Sequence, residues 1–296
     1  MNTSNDSCIL ALDAGGTTIK LGVVLKSGGC SELVDFQETP IQSSGSIGEI
    51  EEGYAKAIET GLSLASRHHL KLSGIAVSTP GPFDYETGIS RMTHKYAAIY
   101  GQSVKKIIEQ TTKDIPVRFM HDSSAFLLGE ILDPRYRSFH TPAAIIIGTG
   151  LGFAIIKQGK LLLNASQGPG ISIFRRPYKG KTAEDFVSKR GIMNLYTELG
   201  GSLCKTVREI DLEARKGDEL CKKVFVQTGM HVGHIVAPLI QEQGIDCLIL
   251  GGQIAKADRL LITPLSETLQ TYSIDCFVCK AQTIDTAPLV GAAQLF

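Results

Sequence analysis

Gly16, Thr17, Ile19, Leu21, Val23 and Val24 recur at one constant offset as Gly148, Thr149, Leu151, Phe153, Ile155 and Ile156, 148 − 16 = 132 residues further on. Each copy reads as an apolar strand, a Gly/Thr turn and a second strand. A further turn follows, Ser27-Gly28-Gly29 in the first copy and Gln158-Gly159-Lys160 in the second, and then another strand-like run, Glu32 to Phe36 and Leu161 to Leu163. Both halves thus open with an antiparallel three-strand meander, the arrangement that short glycine turns allow.

Helices and buried strands alternate after each meander. Ile47, Ile50, Tyr54, Ala57, Ile58 and Leu62 fall on one helical stripe, Gly74 to Ser78 reads as a central strand, and Val104 to Thr111 as a short helix capped by Ser103. The strand Val117 to Met120 then ends at His121-Asp122. The second half repeats the order with a helix from Ala183 capped by Thr182, a helix from about Asp218 to Gln241 and strands at Cys247 to Leu250 and Ile274 to Val278. A last helix starts at Pro288. The pattern predicts a duplicated α/β architecture, two domains with a cleft between them. The expected domains are 1–120, completed by the C-terminal helix 286–296, and 121–285.

Composition narrows the function. With 296 residues, 43% of them hydrophobic, the chain can fill two cores and is not a disordered one. Lys+Arg and Asp+Glu are both 30, so no net field draws the chain to nucleic acid. The apolar runs Ala143 to Ile147 and Cys247 to Leu250 fall short of the ~20 residues of a membrane span. Met1 to Ser7 is polar and acidic, unlike a secretion signal, so a cytoplasmic location is expected. The seven cysteines, odd in number and mostly within apolar segments, read as reduced core thiols. Cys276 and Cys279 form a CxxC without the second pair that a zinc site needs.

Leu10 to Lys20 places Asp13 at the end of a buried strand, before Gly15 and Gly16. The glycines serve either as a plain hairpin turn or as a cradle whose amides converge on a phosphate, with Asp13 reaching a magnesium ion and Lys20 a phosphate oxygen. Gly148-Thr149-Gly150-Leu151-Gly152 is the equivalent turn in the second half. It is not a dinucleotide fingerprint, because Phe153 stands where the last glycine belongs, and Gly180-Lys181-Thr182 is not a P-loop, because position 175 is Arg. Gly251-Gly252 end another buried strand, either as a tight connection or as a place where a flat ligand meets the backbone. Asp122 reads as a helix cap or as a carboxylate able to take a hydroxyl proton.

Together these pieces resemble the ROK family of sugar kinases, of the actin-like (ribonuclease H-like) ATPase superfamily, from Ile9 to Phe296. Leu12 to Val24 is similar to the family's first phosphate motif, Gly74 to Pro82 to its sugar loop and His121 to Ala125 to its NDAN segment. Ile147 to Gly152 resembles the second phosphate motif, Leu248 to Gln253 the adenosine motif and Pro288 to Phe296 the final helix. The resemblance implies Mg-ATP as cosubstrate, Asp122 as the base and Asp13 beside the metal. It implies that Gly15, Gly16, Thr17, Thr18, Lys20, Thr149, Gly150, Gly152, Gly251 and Gly252 hold the nucleotide. Thr79, Pro80, Gly81, His121, Asp122 and Glu184 would face the sugar, in a homodimer.

Departures from the family pattern are as informative. The family's ExGH and Cys-rich zinc loop should lie between about Gly168 and Glu184, where this chain has neither His nor Cys. A structural zinc is therefore not expected, and His121 replaces the family's Asn. Thr182 to Ser188 resembles the CLExxxS segment, so Glu184 is either a sugar contact or a first-turn carboxylate on the helix dipole. His231 and His234 lack a ligand partner nearby and read as solvent-facing or core residues. Pro169 and Arg175-Arg176 suggest a reshaped sugar wall, one for a charged or differently substituted sugar. Two readings follow, a kinase acting on a hexose or N-acetylated amino-hexose, or a nucleotide- or sugar-binding regulator without turnover. A DNA-binding repressor is not expected, because the first strand begins near Cys8 and a helix-turn-helix domain needs roughly 60 to 80 residues ahead of it.

Overall fold

The computed structural model describes residues 7–27, 30–202 and 204–296, so Gly28 and Gly29 of the first expected turn lie outside the described residues. In chain order the elements begin with β1 (Ser7–Ala14), β2 (Thr18–Ser27), β3 (Cys30–Pro40), α1 (Ile47–Arg67), β4 (Lys71–Thr79), β5 (Phe83–Asp84) and β6 (Ile89–Ser90). Next are α2 (Val104–Thr111), β7 (Val117–His121), α3 (Asp122–Glu130), β8 (Pro142–Ile147), β9 (Leu151–Lys157) and β10 (Lys160–Leu161). The short β11 (Pro177–Tyr178), β12 (Lys181–Thr182) and α4 (Ala183–Phe186) lead into α5 (Lys189–Glu198), α6 (Val207–Lys216) and α7 (Glu219–Gln243). The chain closes with β13 (Cys247–Gly251), α8 (Arg259–Thr271), β14 (Phe277–Lys280) and α9 (Ala287–Ala292).

Two units result. The first holds the described residues up to Leu132, Leu163–Pro169 and Thr286–Phe296; the second holds Asp133–Leu162 and Gly170–Asp285. The first unit's sheet runs β3-β2-β1-β4-β7 and the second's β10-β9-β8-β13-β14. In each, the meander strands pair antiparallel and the remaining strands add in parallel. The 132-residue repeat is thus a repeat of sheet topology.

In the first unit β1 is covered on both faces, and Cys8 to Leu12 are all buried, which is why they form an unbroken apolar run. Ser46 and Glu49 close a capping box at the start of α1, whose buried face is Ile50, Tyr54, Ala57, Ile58, Gly61, Leu64 and Ala65. Ile47, expected in that stripe, is exposed, because the first turn emerges at the surface before the helix settles on the sheet.

The boundary differs from the expected one near Met120. α3 belongs to the first unit because it crosses α9 at backbone contact. A Cβ on Gly291 would lie 1.7 Å from the Ala125 carbonyl oxygen, and one on Gly129 2.0 Å from that of Ala287. No residue but glycine permits this approach.

In the second unit the last strand is Phe277–Lys280, not Ile274 to Val278. The Ile274 N–H turns back to the Leu269 carbonyl and closes α8, so strand pairing starts only at Phe277, opposite Cys247. The third meander strand is also shorter than expected, because Leu163 pairs with Pro169 instead. Gly180-Lys181-Thr182 belongs to the β11–β12 hairpin: Lys179 and Gly180 form its turn, both at positive φ as such a turn requires, and Lys181–Thr182 is the second strand. Tyr178 of this hairpin packs on Phe186 and His231, and its hydroxyl lies 2.9 Å from His231 Nδ1. Burial pushes His231 down to about 4, so the ring is neutral at pH 7. His234 meets the Tyr272 hydroxyl at 2.9 Å.

All seven cysteines are free thiols, but Cys30 and Cys204 are exposed, contrary to a purely core reading. Among the described residues no group of three or more His, Cys, Asp or Glu is placed to hold a metal ion, and no helix is long and apolar enough to cross a membrane.

The α3–α9 crossing makes a test of the packing. Gly291→Ala, which favours an isolated helix, lowers the stability of this chain by about 1–3 kcal/mol or more through overpacking. The expected readout is a lower urea midpoint in fluorescence-monitored unfolding.

Candidate functional site

Parallel pairing lines up the C-terminal ends of β1, β4 and β7, so that Asp13 stands opposite Ser78 and Thr79 opposite His121. This is the edge at which open α/β sheets receive ligands. Asp13 accepts a 2.8 Å hydrogen bond from Ser78 Oγ at Oδ1. Burial raises its carboxyl to about 6; the negative charge of Asp122 adds to the rise, while Ser78, Lys20 and Lys95 oppose it. Lys20 lies opposite Asp13 on β2.

The turn after Asp13 is tied down through its carbonyls. The Gly15 oxygen accepts the Tyr96 hydroxyl at 2.6 Å, the Gly16 oxygen the Ser43 N–H at 3.2 Å, and the Thr17 oxygen the Ile41 N–H at 3.0 Å. The Thr18 oxygen accepts the Gly15 N–H at 3.0 Å. With these carbonyls engaged, the Gly16 and Thr17 amides have no acceptor among the described residues and form a ready pair of donors for an anion.

Asp122 is the first residue of α3, and His121 is its cap. His121 Nδ1 lies 2.9 Å from Asp122 Oδ1, and the Ser123 N–H reaches the same oxygen at 2.6 Å. The Ser123 amide is also 3.2 Å from Nδ1, but the nitrogen cannot accept there while donating to the carboxylate. The Ser123 hydroxyl also lies 2.8 Å from Nδ1, but a hydroxyl can donate or accept, whereas the ionised carboxylate only accepts and so calls for a proton on Nδ1. Burial acts to raise the Asp122 pKa, but the His121 charge and hydrogen bond, the Ser123 amide and Lys95 outweigh it and hold the carboxyl below its usual range. The contacts named fall on Oδ1, and the side chain is still 44% exposed.

Thr79, Pro80 and Gly81 continue β4 toward the same place. Thr79 is buried, its carbonyl accepts the Tyr85 hydroxyl at 3.2 Å, and its Oγ1 has no partner among the described residues. A Cβ on Gly81 would sit 3.2 Å from the Tyr85 hydroxyl and 3.6 Å from His121 Cδ2. Asp13, Thr79, Gly81, His121 and Asp122 therefore share one edge of the first unit. Lys95 also belongs here. No motif marks it in the sequence, yet its Cε lies 3.7 Å from where a Cβ on Gly16 would be.

The second unit carries its own turn and a cavity. The Gly148 oxygen accepts the Lys189 N–H at 2.8 Å, and the Thr149 and Gly150 amides have no acceptor among the described residues. Glu184 accepts the Leu151 N–H at 3.0 Å, so this carboxylate orders the turn, a structural use that its first-turn position did not reveal. Gly152 lies within β9, opposite Ile146, and does not line the cavity. A cavity of about 560 Å³ opens beside Gly148 and Thr149. Val207, Leu212, Phe225, Ile254 and Ala257 form its apolar wall, with Arg208, Asp211, Gln253 and Lys256 among its polar residues. The size and lining suit a small flat molecule with a polar end. Gly251 and Gly252 do not line it but set its wall: Gly252 has φ +82°, and a Cβ there would lie 2.3 Å from the Ile147 oxygen. Arg175 stacks its guanidinium on Phe174, 5.2 Å from the ring centre.

A duplicated meander-and-helix unit with glycine turns at the strand ends defines an actin-like ATPase fold. The family model for the ROK family matches residues 9–296, and the chain belongs to that family. It is 25% identical over 296 residues to a glucokinase of Halalkalibacterium halodurans, covering 91% of this chain and 87% of the relative. It is 26% identical over 253 residues to the DNA-binding transcriptional repressor Mlc of Escherichia coli, covering 77% of this chain but 62% of Mlc. The crystal structure of a ROK family glucokinase from Streptomyces griseus, in complex with glucose and AMPPNP, superposes with a TM-score of 0.78 at 21% identity, covering 98% of this chain and 99% of the other.

The raised Asp13 carboxyl has a consequence for stability. Its ordinary value is 3.8 and its folded value about 6, so the folded chain holds this proton more tightly and stability falls as pH rises through that window. Asp13→Asn is expected to stabilise the protein at pH 7.5 by on the order of 1–3 kcal/mol, with no gain at pH 4. Thermal melts of both proteins at the two pH values check this.

Proposed function

We propose that the chain is an ATP-dependent kinase of a sugar hydroxyl, with a hexose or N-acetylated amino-hexose as acceptor and Asp122 as base. The observation that carries this reading is an ionised, half-exposed carboxylate on the same strand-end edge as an amide turn whose carbonyls are tied back. Asp122, held below the usual carboxylate range, is charged at pH 7 and able to accept the hydroxyl proton on Oδ2. As it does so, the sugar oxygen bonds to the γ-phosphorus, the bond from that phosphorus to the β–γ bridging oxygen breaks, and ADP leaves. His121 fixes the carboxylate's orientation. A weak base suffices because the transition state is loose, and alignment and charge stabilisation carry most of the rate.

The amides of Gly16 and Thr17 in the first unit are donors suited to phosphate oxygens, as are those of Thr149 and Gly150 in the second, and the cavity beside Thr149 suits a nucleoside. Asp13 fits a magnesium ion that accompanies ATP, because a carboxylate destabilised by burial and by a second carboxylate gains from a cation beside it. Magnesium bound there would neutralise phosphate charge as a Lewis acid.

The Mlc likeness and the Gly168 to Glu184 segment without His or Cys favour a second reading, a regulator that binds nucleotide or sugar without turnover. ADP release against a panel of hexoses and N-acetylated hexosamines separates the two. For a kinase, Asp122→Asn lowers kcat about 10²–10⁴-fold while ATP affinity in calorimetry stays within about twofold. Equal turnover by the variant removes Asp122 from the role, and binding without product from any sugar supports the regulator.

A further inference from the structure

Lys95 is held in place by its neighbour. Tyr96 has φ 53°, a left-handed backbone that a bulky residue adopts only when its surroundings compel it. Its N–H bonds to the Ser43 oxygen at 2.7 Å, its hydroxyl to the Gly15 oxygen at 2.6 Å, and its ring packs against Tyr54 at 6.2 Å. Two of these contacts anchor it to the glycine turn or to the loop bonded behind that turn, because Ser43 itself donates to the Gly16 oxygen. Lys95 consequently lays its stem over the turn, with Cε 3.7 Å and Cδ 4.0 Å from the missing Cβ of Gly16. A side chain at position 16 would occupy that space.

The charge at the end of this stem acts to lower both carboxylates of the edge, Asp13 and Asp122. It comes within 4 Å of neither as an ion pair, and it has no hydrogen bond to another described residue. A lysine whose purpose was to neutralise one carboxylate would close on it. Here the charge stands near the free Gly16 and Thr17 amides and near the base, with its donors unspent. That is where a terminal phosphate would rest on the turn before passing to a hydroxyl at Asp122, and a compact ammonium is well suited to such a group.

We propose that Lys95 is a catalytic residue that contacts the terminal phosphate of ATP and carries the charge of the phosphoryl group during its transfer. The inference rests on the kinase reading for the transfer, but its contact with the terminal phosphate is testable without turnover. Calorimetric titration of Mg-ATP and Mg-ADP into wild type, Lys95→Met and Lys95→Arg is the first arm. Lys95→Met is expected to weaken ATP at least about tenfold and leave ADP within about twofold, with Lys95→Arg recovering part of the loss. The second arm is kcat on any sugar that wild type accepts, expected to fall about 10²–10³-fold in Lys95→Met. Equal losses for ATP and ADP, or no loss of either with unchanged kcat, overturn the assignment. If Lys95→Met fails to fold by circular dichroism, Lys95→Gln is read by the same criteria. A wild type that phosphorylates no sugar, yet prefers ATP over ADP by a margin that Lys95→Met abolishes, sinks the kinase reading and keeps the phosphate contact.

Discussion

The parallel pairing of β1, β4 and β7 is the constraint on which the first site depends. A parallel sheet puts the C-terminal ends of neighbouring strands side by side, and the register here sets Asp13 against Ser78 and Thr79 against His121. The Asp13–Ser78 hydrogen bond, the placement of Asp122 one residue past a strand end, and the position of the glycine turn all follow from that alignment. A shift of one residue in any of the three strands would turn these side chains to the other face of the sheet.

Two carboxylates on one edge are driven in opposite directions by their surroundings. Asp13 is half-buried beside a hydroxyl and a like charge, and it rises to about 6. Asp122 meets an imidazole and a backbone amide at a helix start, and it falls. Environments that separate two titratable groups in this way assign them different work. The raised group gains most from a nearby cation, and the lowered one stays ionised and open to a proton donor. At the second unit's turn the carboxylate of Glu184 accepts the Leu151 amide on Oε2. That unit's chemical resource is a cavity and a pair of free amides.

Much of the fold was legible because the signals were local. The repeat of Gly16 to Val24 at Gly148 to Ile156 announced two sheets of one topology, and Ser103 and Thr182 mark helix starts by side-chain chemistry that acts within three residues. Asp13 and Asp122 could be named because each sits at the end of an apolar strand, whereas Thr79, Gly81 and His121 were implied by the family resemblance alone. Lys95 could not be named, since a lone lysine in a segment without periodicity carries no signal until the loop around Tyr96 folds back onto the turn. The cavity wall was hidden for the same reason: Val207, Phe225 and Ile254 come from three different elements. Nor did sequence separation reveal that α3 packs on α9, which joins residues more than a hundred and fifty positions apart through two glycines.

The amino-acid sequence alone determined the duplicated α/β architecture, the two glycine turns and the strand-end carboxylates, because periodicity, turn chemistry and capping act over a few neighbouring residues. Only the tertiary structure decided which groups face one another. It brought Ser78 to Asp13, Glu184 to the Leu151 amide and Lys95 to Gly16. It thereby set the protonation state and the remaining donors of each. Those properties depend on distance and burial, which sequence spacing does not encode.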